Sequence, residues 1–205
     1  MKTRNKRKLA TTRKKFISRL KKLYPHCEHD DLKHSKKYEN HQVTYGEMEY
    51  NGMEELYSFV KKYLNINCFI DVGSGRGKLC MYMAAQPNIE HVLGVELTTE
   101  RHDDAVVLKN KLQTEFSSKV ELVNQNVLEM NLEKYKNFRT FIWFSNLCFD
   151  QSTTNDIFQK LKNDLSPGTI ICCSKQPDIE IGEFLGTREI PMSWNKTSSV
   201  AIYRL

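Results

Sequence analysis

Short apolar runs alternate with helical segments along most of the chain. The apolar runs predict five β-strands, at 68–72, 91–95, 120–123, 140–144 and 169–173. Between these runs, the spacing and composition of the apolar residues are helical. They predict four helices, over 52–64, 78–85, 100–116 and 153–163. No long helical pattern follows Pro177, whereas 199–203 has the pattern of a strand, so we expect a closing antiparallel strand pair.

This alternation determines the fold class that we expect. Neighbouring parallel strands need crossover connections, and helices on both faces of the sheet supply them. We therefore predict an α/β, Rossmann-like fold whose mostly parallel, seven-stranded sheet includes a C-terminal antiparallel strand pair. A chain of 205 residues is long enough for one such domain with a well-buried core, and we place it at 43–205.

The first 42 residues differ from the rest in charge, and we interpret them as a basic N-terminal arm and linker. Residues 1–23 hold eleven Lys and Arg side chains, from Lys2 to Lys22, and no acid, whereas residues 24–205 carry a formal charge of −5. Such a block neutralises phosphates, which predicts salt-sensitive binding to a nucleosome, with its histones, or to RNA. A nuclear-import patch, a mitochondrial presequence, an amphipathic surface helix and a solvated, disordered arm are the alternatives.

The composition of the chain limits the compartments in which we expect the protein and the kinds of site that we expect it to contain. The chain has no run of 18 apolar residues and no apolar signal core, so we expect an intracellular protein without membrane contact. We expect it in the nucleus or another compartment that contains nucleic acid, with the mitochondrion as the alternative. The six cysteines include no CxxC pair and are interpreted as free thiols. We predict no metal site, because the cluster of His26, Cys27, His29 and His34 matches no zinc-finger spacing.

A glycine-rich turn carries the strongest local signal. The segment Asp71-Val72-Gly73-Ser74-Gly75-Arg76-Gly77 lies between a predicted strand and a predicted helix. Glycines there let the backbone approach a ligand closely, and the helix N-terminus offers unpaired N–H groups. Glu96 ends the next strand, where a carboxylate accepts hydrogen bonds from both ribose hydroxyls. Together these features predict a site for a dinucleotide or an adenosine cofactor.

Three features favour S-adenosylmethionine over a nicotinamide cofactor. The glycines follow the pattern GxGxG instead of GxGxxG, an aspartate precedes them, and no second substrate domain follows. Asp71 is placed to hold the ammonium group of the methionine part, with a helix-capping carboxylate as the alternative. Asn126 is placed to read the adenine amino group, and Val127 or Leu128 to cover the ring. Leu97 is a further candidate for cofactor contact.

From Val43 onwards the chain resembles the disruptor-of-telomeric-silencing family, the histone lysine methyltransferases that lack a SET domain. Four parts of the sequence carry the likeness, in the family's order and spacing. They are Val43-Thr44-Tyr45-Gly46-Glu47, the glycine turn with Gly94-Val95-Glu96, Ser145-Asn146-Leu147-Cys148-Phe149, and Ser174-Lys175 with Ser193-Trp194. The resemblance implies a class I methyltransferase fold and S-adenosyl-L-methionine as the cofactor.

The resemblance also implies roles for residues outside the glycine turn. Tyr45 and Glu47 close over the methionine part of the cofactor, which Asn146 also contacts. The substrate channel is shaped by aromatic and polar side chains, namely Trp143, Ser145, Asn146, Phe149 and Trp194. Aromatic walls favour a cationic or partly methylated ammonium group and exclude water. Trp143 and Phe149 are equally explained as core residues.

At four positions the chain departs from the family's pattern. Lys78 stands in place of an uncharged amide, Asn126 in place of an acid, Ser145 in place of Asn, and Ile202 where a channel Tyr falls. Lys78, at the start of a helix, is able to pair with the carboxylate of the cofactor. The departures concern the substrate lining more than the cofactor site.

Three functions are compatible with these observations. The leading one is a protein lysine N-methyltransferase that acts on a histone or another basic protein bound to nucleic acid. The second is an RNA or DNA methyltransferase, against which the absence of an Asn-Pro-Pro-Tyr motif argues. The third is a non-catalytic nucleic-acid-binding protein with a residual cofactor pocket, suggested by Ser145 and Ile202.

Overall fold

A computed structural model describes residues 2–24, 44–63, 65–112 and 114–205, and side chains from residue 9 onwards. Seven strands form one sheet. They are β1 (Cys68–Val72), β2 (His91–Glu96), β3 (Val120–Asn124), β4 (Thr140–Phe144), β5 (Ile170–Cys173), β6 (Glu183–Met192) and β7 (Asn195–Arg204). Their order in the sheet is β3-β2-β1-β4-β5-β7-β6. The first five strands run parallel, and β7 is antiparallel to both β5 and β6, which confirms the predicted fold class.

The described part of the chain contains five α-helices. They are α1 (Lys2–Leu23), α2 (Tyr50–Val60), α3 (Lys78–Ala84), α4 (Thr99–Leu112) and α5 (Gln151–Asp164). Helix α4 ends before the predicted position 116, and Thr114 and Ser117 then turn the chain by bonding to each other's backbone and hydroxyl groups. None of the described helices combines the length and the apolar character needed to cross a bilayer.

Alternation along the strands divides the core into two apolar clusters, one on each face of the sheet. Phe69, Phe141 and Trp143 belong to one cluster, whereas Ile70 and Phe144 belong to the other. All five residues of β1 and of β4 are buried, as expected for central parallel strands that are covered on both faces. Full burial of one such side chain stabilises the fold by roughly 1.5–3 kcal/mol.

The C-terminal half of α1 packs against the domain. Phe16, Leu20 and Tyr24 are buried at intervals of four residues, and the ring of Phe16 meets that of Phe116 edge-on at 5.1 Å. The Arg13 guanidinium donates a hydrogen bond of 2.6 Å to the side chain of Gln86 in the loop after α3. This part of the basic segment is therefore an amphipathic helix.

The boundary between arm and domain at residue 43 stays a prediction. Residues 25–43 lie outside the described part of the chain, and so does the cluster from His26 to His34. Among the described cysteines, four are buried free thiols and Cys148 is exposed. Burial raises the pKa of the Cys68 and Cys173 thiols to about 12, so these two are uncharged packing groups at neutral pH.

Candidate cofactor and substrate site

A cavity of about 300 Å³ lies beyond the carboxyl ends of the central parallel strands. The turns that follow β1, β2, β3 and β4 all contribute to its lining, as expected for ligand sites of open α/β sheets. Residues 44–48 and the β6–β7 hairpin complete it. The sequence-predicted residues that line this cavity are Tyr45, Glu47, Asp71, Gly73, Gly75, Lys78, Glu96, Leu97, Asn126, Val127, Trp143, Ser145, Phe149 and Trp194.

The glycine turn leaves open space at Gly73, and close contacts at Gly75 and Gly77, where side chains would stand. Gly73, Gly75 and Gly77 have φ of 79°, 53° and 75°, a region that favours glycine. A Cβ at Gly73 would meet nothing closer than the Ser145 carbonyl oxygen, at 4.0 Å, so the turn forms a cradle at the cavity wall. Gly77 lies behind the cavity, where a Cβ would stand 3.3 Å from that of Ala105, and it permits close packing of α4.

Glu96 is buried, and three donors fix its carboxylate. One oxygen, Oε1, accepts hydrogen bonds from the Thr98 N–H and hydroxyl, at 2.9 and 2.8 Å. The other, Oε2, accepts one from the Gly75 N–H at 2.7 Å. A carboxylate has about four acceptor sites, so Oε2 can accept one further hydroxyl. A second hydroxyl would replace the hydroxyl of Thr98. The Glu96 carboxylate is therefore suited to accept hydrogen bonds from both hydroxyls of a ribose diol.

Asp71 is buried at the cavity wall. Its Oδ2 accepts a hydrogen bond from the Cys80 thiol at 3.5 Å. Burial raises the pKa of the Asp71 carboxyl well above its usual value, the thiol contact opposes this, and the charge of Glu96 adds to it. A cation in the cavity would favour the ionised form of Asp71. This environment suits the predicted contact with an ammonium group.

Lys78 and Glu47 form an ion pair inside the cavity. The Lys78 Nζ lies 3.0 Å from Glu47 Oε2, and the two side chains are 7% and 6% exposed. The Tyr45 hydroxyl donates to Glu47 Oε1 at 2.5 Å, and the ammonium lies 4.8 Å from the centre of the Tyr50 ring. The sequence predicted both charged residues to lie at the cofactor but gave no sign that they pair.

The roof of the cavity joins two distant parts of the chain. Met48 and Met192 form an antiparallel bridge. The Ser193 N–H donates to the Glu47 carbonyl at 2.8 Å, and the Glu47 N–H donates to the Ser193 hydroxyl at 3.0 Å. A Cβ at Gly46 would lie 2.3 Å from the Trp194 ring, so glycine is needed at this position to seat the ring. We call residues 44–48 and 190–194 together the roof.

Aromatic side chains line the cavity beside the β4 turn. Trp143 is 4% exposed; it lines the cavity and also belongs to the core, and its role in a substrate channel stays a prediction. Phe149 packs edge-on against Phe144 at 5.4 Å. Ile202 is fully buried in β7 opposite Cys172 and is not among the described lining residues.

Asn146 lies behind the cavity wall. Its Oδ1 accepts from the N–H groups of Ser174 and Lys175 at 3.1 and 2.9 Å, and its Nδ2 donates to the Lys175 carbonyl at 2.8 Å. Its side chain is not among the lining groups, and its predicted contact with cofactor or substrate stays a prediction. These three bonds connect the β4 turn to the β5 turn and position Phe149, whose carbonyl accepts from the Lys175 ammonium.

Thr98 and Arg101 are among the lining residues that were not predicted from the sequence. Thr98 fixes the Glu96 carboxylate, and Arg101 of α4 is buried with its guanidinium 4.8 Å from the centre of the Tyr45 ring. Asn126 was predicted, and its Oδ1 accepts from the Leu128 N–H at 3.0 Å as the cap of a short 3₁₀ turn. Thr98 and Arg101 lie in the polar segment around the start of α4, and the local sequence there gives no indication of these contacts.

A family model matches most of the chain. The model of the family described as histone methylation protein DOT1 matches residues 24–179, about three quarters of the chain. No curated protein sequence matches the chain.

Solved structures share the fold. An RNA methyltransferase from Salinibacter ruber, in complex with S-adenosyl-L-homocysteine, is 14% identical with a TM-score of 0.57, over 76% of this chain and 91% of that one. The glycopeptide N-methyltransferase MtfA is 13% identical with a TM-score of 0.54, over 75% and 95%. The methyltransferase domain of bacterial CtHen1-CN is 12% identical with a TM-score of 0.53, over 76% and 99%. From the family match and the shared fold, the chain belongs to the DOT1 family of histone methylation proteins and is an S-adenosylmethionine-dependent methyltransferase.

Proposed function

We propose that the protein is a lysine N-methyltransferase that acts on a histone within the nucleosome, and that it works in the nucleus. One observation carries the proposal. The cavity that contains the glycine cradle and Glu96 is lined, besides Tyr45, by three further aromatic side chains, namely Trp143, Phe149 and Trp194. Membership of a histone methylation family supports the histone as substrate.

We assign the cofactor-binding roles from the groups that line the cavity. Bound S-adenosylmethionine would supply a methyl group on a sulfonium. A neutral amine would attack the methyl carbon in line with the C–S bond, which breaks to leave the thioether S-adenosylhomocysteine, and the resulting methylammonium would lose its proton to solvent. Glu96 binds one ribose hydroxyl through its remaining acceptor site and the other in place of the Thr98 hydroxyl. The cradle at Gly73 admits the bulk of the ligand, and Asn126 and Val127 contact the adenine. The protein's task is alignment, because the displacement needs no acid or metal to activate the leaving thioether.

The aromatic side chains serve the substrate end. Their π faces attract a lysine ammonium into the cavity, and their apolar surface excludes water from the reacting amine. Trp194, in the roof, is 43% exposed, so it is able to contact an incoming chain as well as Gly46. Ser145 supplies a hydroxyl at the same wall and is a candidate to orient the amine.

Methyl transfer from radiolabelled S-adenosylmethionine to nucleosomes, free histones and RNA, measured in parallel, tests the proposal. We expect label on a histone lysine and loss of that label in Glu96→Ala. Label that appears on RNA alone would support the nucleic-acid methyltransferase instead. Cofactor binding without transfer to any of the three would favour a non-catalytic binding protein.

Exposed lysines on α1 are expected to contact nucleosomal phosphates. Because the helix is held by Phe16 and Leu20, Lys14, Lys15 and Lys22 project from a fixed surface. Replacing these three by glutamate is expected to weaken nucleosome binding. The slope of log affinity against log salt concentration is expected to fall by about 1 for each phosphate that is no longer neutralised. Binding is measured by gel shift or fluorescence anisotropy between low and high salt.

A matched control changes charge by the same amount elsewhere. Lys62, Lys136 and Lys196 are exposed and lie outside α1. Replacing them by glutamate is expected to have a much smaller effect on the salt slope. Equal slopes for the two triple variants would show that net charge, and not the helix, determines binding.

A further inference from the structure

The peptide group between Arg76 and Gly77, in the glycine turn, is held on both sides. Its N–H donates to the Ser74 carbonyl at 2.9 Å, and its carbonyl accepts from the Tyr24 hydroxyl at 2.6 Å. Glycines on either side of Arg76 give the backbone freedom to rotate this group, and fixing it costs conformational entropy. The hydrogen bond from Tyr24 therefore restricts a turn whose sequence is flexible.

Tyr24 is itself held in place by its own contacts. It directly follows α1, its side chain is 2% exposed, and its N–H donates to the Leu20 carbonyl at 2.9 Å. Burial raises the pKa of the Tyr24 phenol, so the hydroxyl is protonated and donates at neutral pH. Phe16, Leu20 and Tyr24 belong to one apolar cluster of the core. The position of the Tyr24 hydroxyl therefore depends on the docking of α1 against the domain.

The end of α1 also contacts the helix that follows the roof. Tyr50 is the first residue of α2, and its hydroxyl donates to the Tyr24 carbonyl at 3.5 Å. The Tyr50 ring centre lies 5.1 Å from the Lys21 ammonium. None of the described residues of α1 is among the residues that line the cavity. We therefore expect an effect of α1 on a bound ligand to pass through the glycine turn or the roof.

We propose that Tyr24 is a positioning residue for the glycine turn, and that it links cofactor binding in the cavity to phosphate binding on α1. Docked α1 holds the turn in the conformation in which the Gly75 N–H bonds to Glu96. A ligand that prefers this conformation stabilises the docked helix. Nucleic acid that prefers the fixed lysines of the docked helix strengthens ligand binding by the same factor. The inference rests on the proposed placement of the cofactor in the cavity and of phosphate on α1.

Hydrogen–deuterium exchange tests the linkage in the wild-type protein. We expect saturating S-adenosylhomocysteine to slow the exchange of the backbone amides of residues 16–23 by about 5-fold or more, as for typical coupling between two sites. Residues 133–138 precede the amino end of β4 and serve as the internal control. Their exchange is expected to be the same with and without S-adenosylhomocysteine.

Tyr24→Phe tests the hydroxyl itself, because it keeps the buried ring and removes the hydrogen bond to the Arg76 carbonyl. Calorimetry is expected to show about 3- to 10-fold weaker binding of S-adenosylhomocysteine, as for the loss of one hydrogen bond. S-adenosylhomocysteine is also expected to lose its effect on exchange in α1. A role in packing alone would lower the melting temperature and leave that effect in place. Tyr63→Phe is the matched control, because Tyr63 is 38% exposed, and it is expected to change neither measurement.

A short DNA duplex supplies phosphate for the reciprocal measurement. Saturating duplex at low salt is expected to tighten the binding of S-adenosylhomocysteine to the wild type by about 5-fold or more, because coupling between two binding sites is reciprocal. Tyr24→Phe is expected to bind the duplex and to show no such gain. A duplex that does not bind the wild type would overturn the phosphate half of the proposal, and the exchange experiment would still decide the role of Tyr24.

Two results would overturn the role of Tyr24. One is equal exchange of α1 with and without S-adenosylhomocysteine in the wild type. The other is a folded Tyr24→Phe protein that binds S-adenosylhomocysteine as tightly as the wild type does. Wild-type protein that does not bind S-adenosylhomocysteine would overturn the cofactor placement and this inference with it. Linkage in a protein that methylates no histone would contradict the histone substrate alone.

Discussion

Replacing Leu20 by alanine is expected to lower the free energy of unfolding by about 2–5 kcal/mol. Leu20 is fully buried, and it lies in the same apolar cluster as Phe16 and Leu79. Truncation removes apolar surface from the core and leaves a cavity that the surrounding side chains fill incompletely. Urea unfolding followed by circular dichroism measures the change as a lower midpoint with an unchanged slope.

Ser18→Ala is the matched control, because Ser18 is exposed on the same helix. Its effect is expected to stay within about 0.5 kcal/mol, as for most surface substitutions. If the two variants unfold alike, α1 contributes no core to the domain.

This result bears on how the basic segment is best tested. From its charge alone, deletion of residues 1–23 is expected to weaken nucleosome or RNA binding and to leave cofactor affinity unchanged. The structure gives that deletion a second effect, because it removes Phe16 and Leu20 from the core. Tyr24 follows directly, and its hydroxyl donates to the Arg76 carbonyl of the glycine turn at 2.6 Å. Charge substitutions on an intact helix separate the two effects.

Glu96→Ala is expected to lower the affinity for S-adenosylhomocysteine by about 100-fold or more, since the variant cannot form two hydrogen bonds between the ribose and a charged group. The substitution also leaves the Gly75 N–H and both donors of Thr98 without their acceptor. Calorimetry measures the affinity, and a thermal melt of the same sample shows whether the variant is folded.

Glu55→Ala removes an exposed carboxylate from α2 and serves as the control, with no change in affinity expected. A folded Glu96→Ala protein that binds S-adenosylhomocysteine as tightly as the wild type would show that the ribose is held elsewhere. The assignment of the cavity to the cofactor would then fail as a whole.

The central strands could be predicted from sequence to the residue. β1 and β4 are runs of five residues buried on both faces, and each is followed by a polar turn. The closing antiparallel pair was predicted, but the bounds of β6 were not, because it is an edge strand with mostly exposed side chains and an irregular register near Gly186. Packing of α1 was hidden by charge, since eleven basic residues mask the spacing of Phe16 and Leu20.

The residues on the cofactor side of the site could also be predicted from the sequence. Gly73, Gly75 and Glu96 lie at the ends of adjacent strands, so chain order alone brings them together. The ion pair of Glu47 and Lys78 spans 31 positions and depends on side-chain geometry that no local pattern encodes. The hydrogen bonds of Asn146 were likewise not predictable from a local pattern, since they cross 28 and 29 positions to the β5 turn.

The roof has a consequence for the order in which the protein matures during synthesis. Met48 can form its bridge only after Met192 has been synthesised, 144 positions later in the chain. A growing chain that stops before Pro191 can contain the glycine cradle and Glu96, yet it lacks the second half of the roof. Because both halves of the roof line the cavity, we expect a chain that lacks 190–194 to bind the methyl donor more weakly than the finished protein.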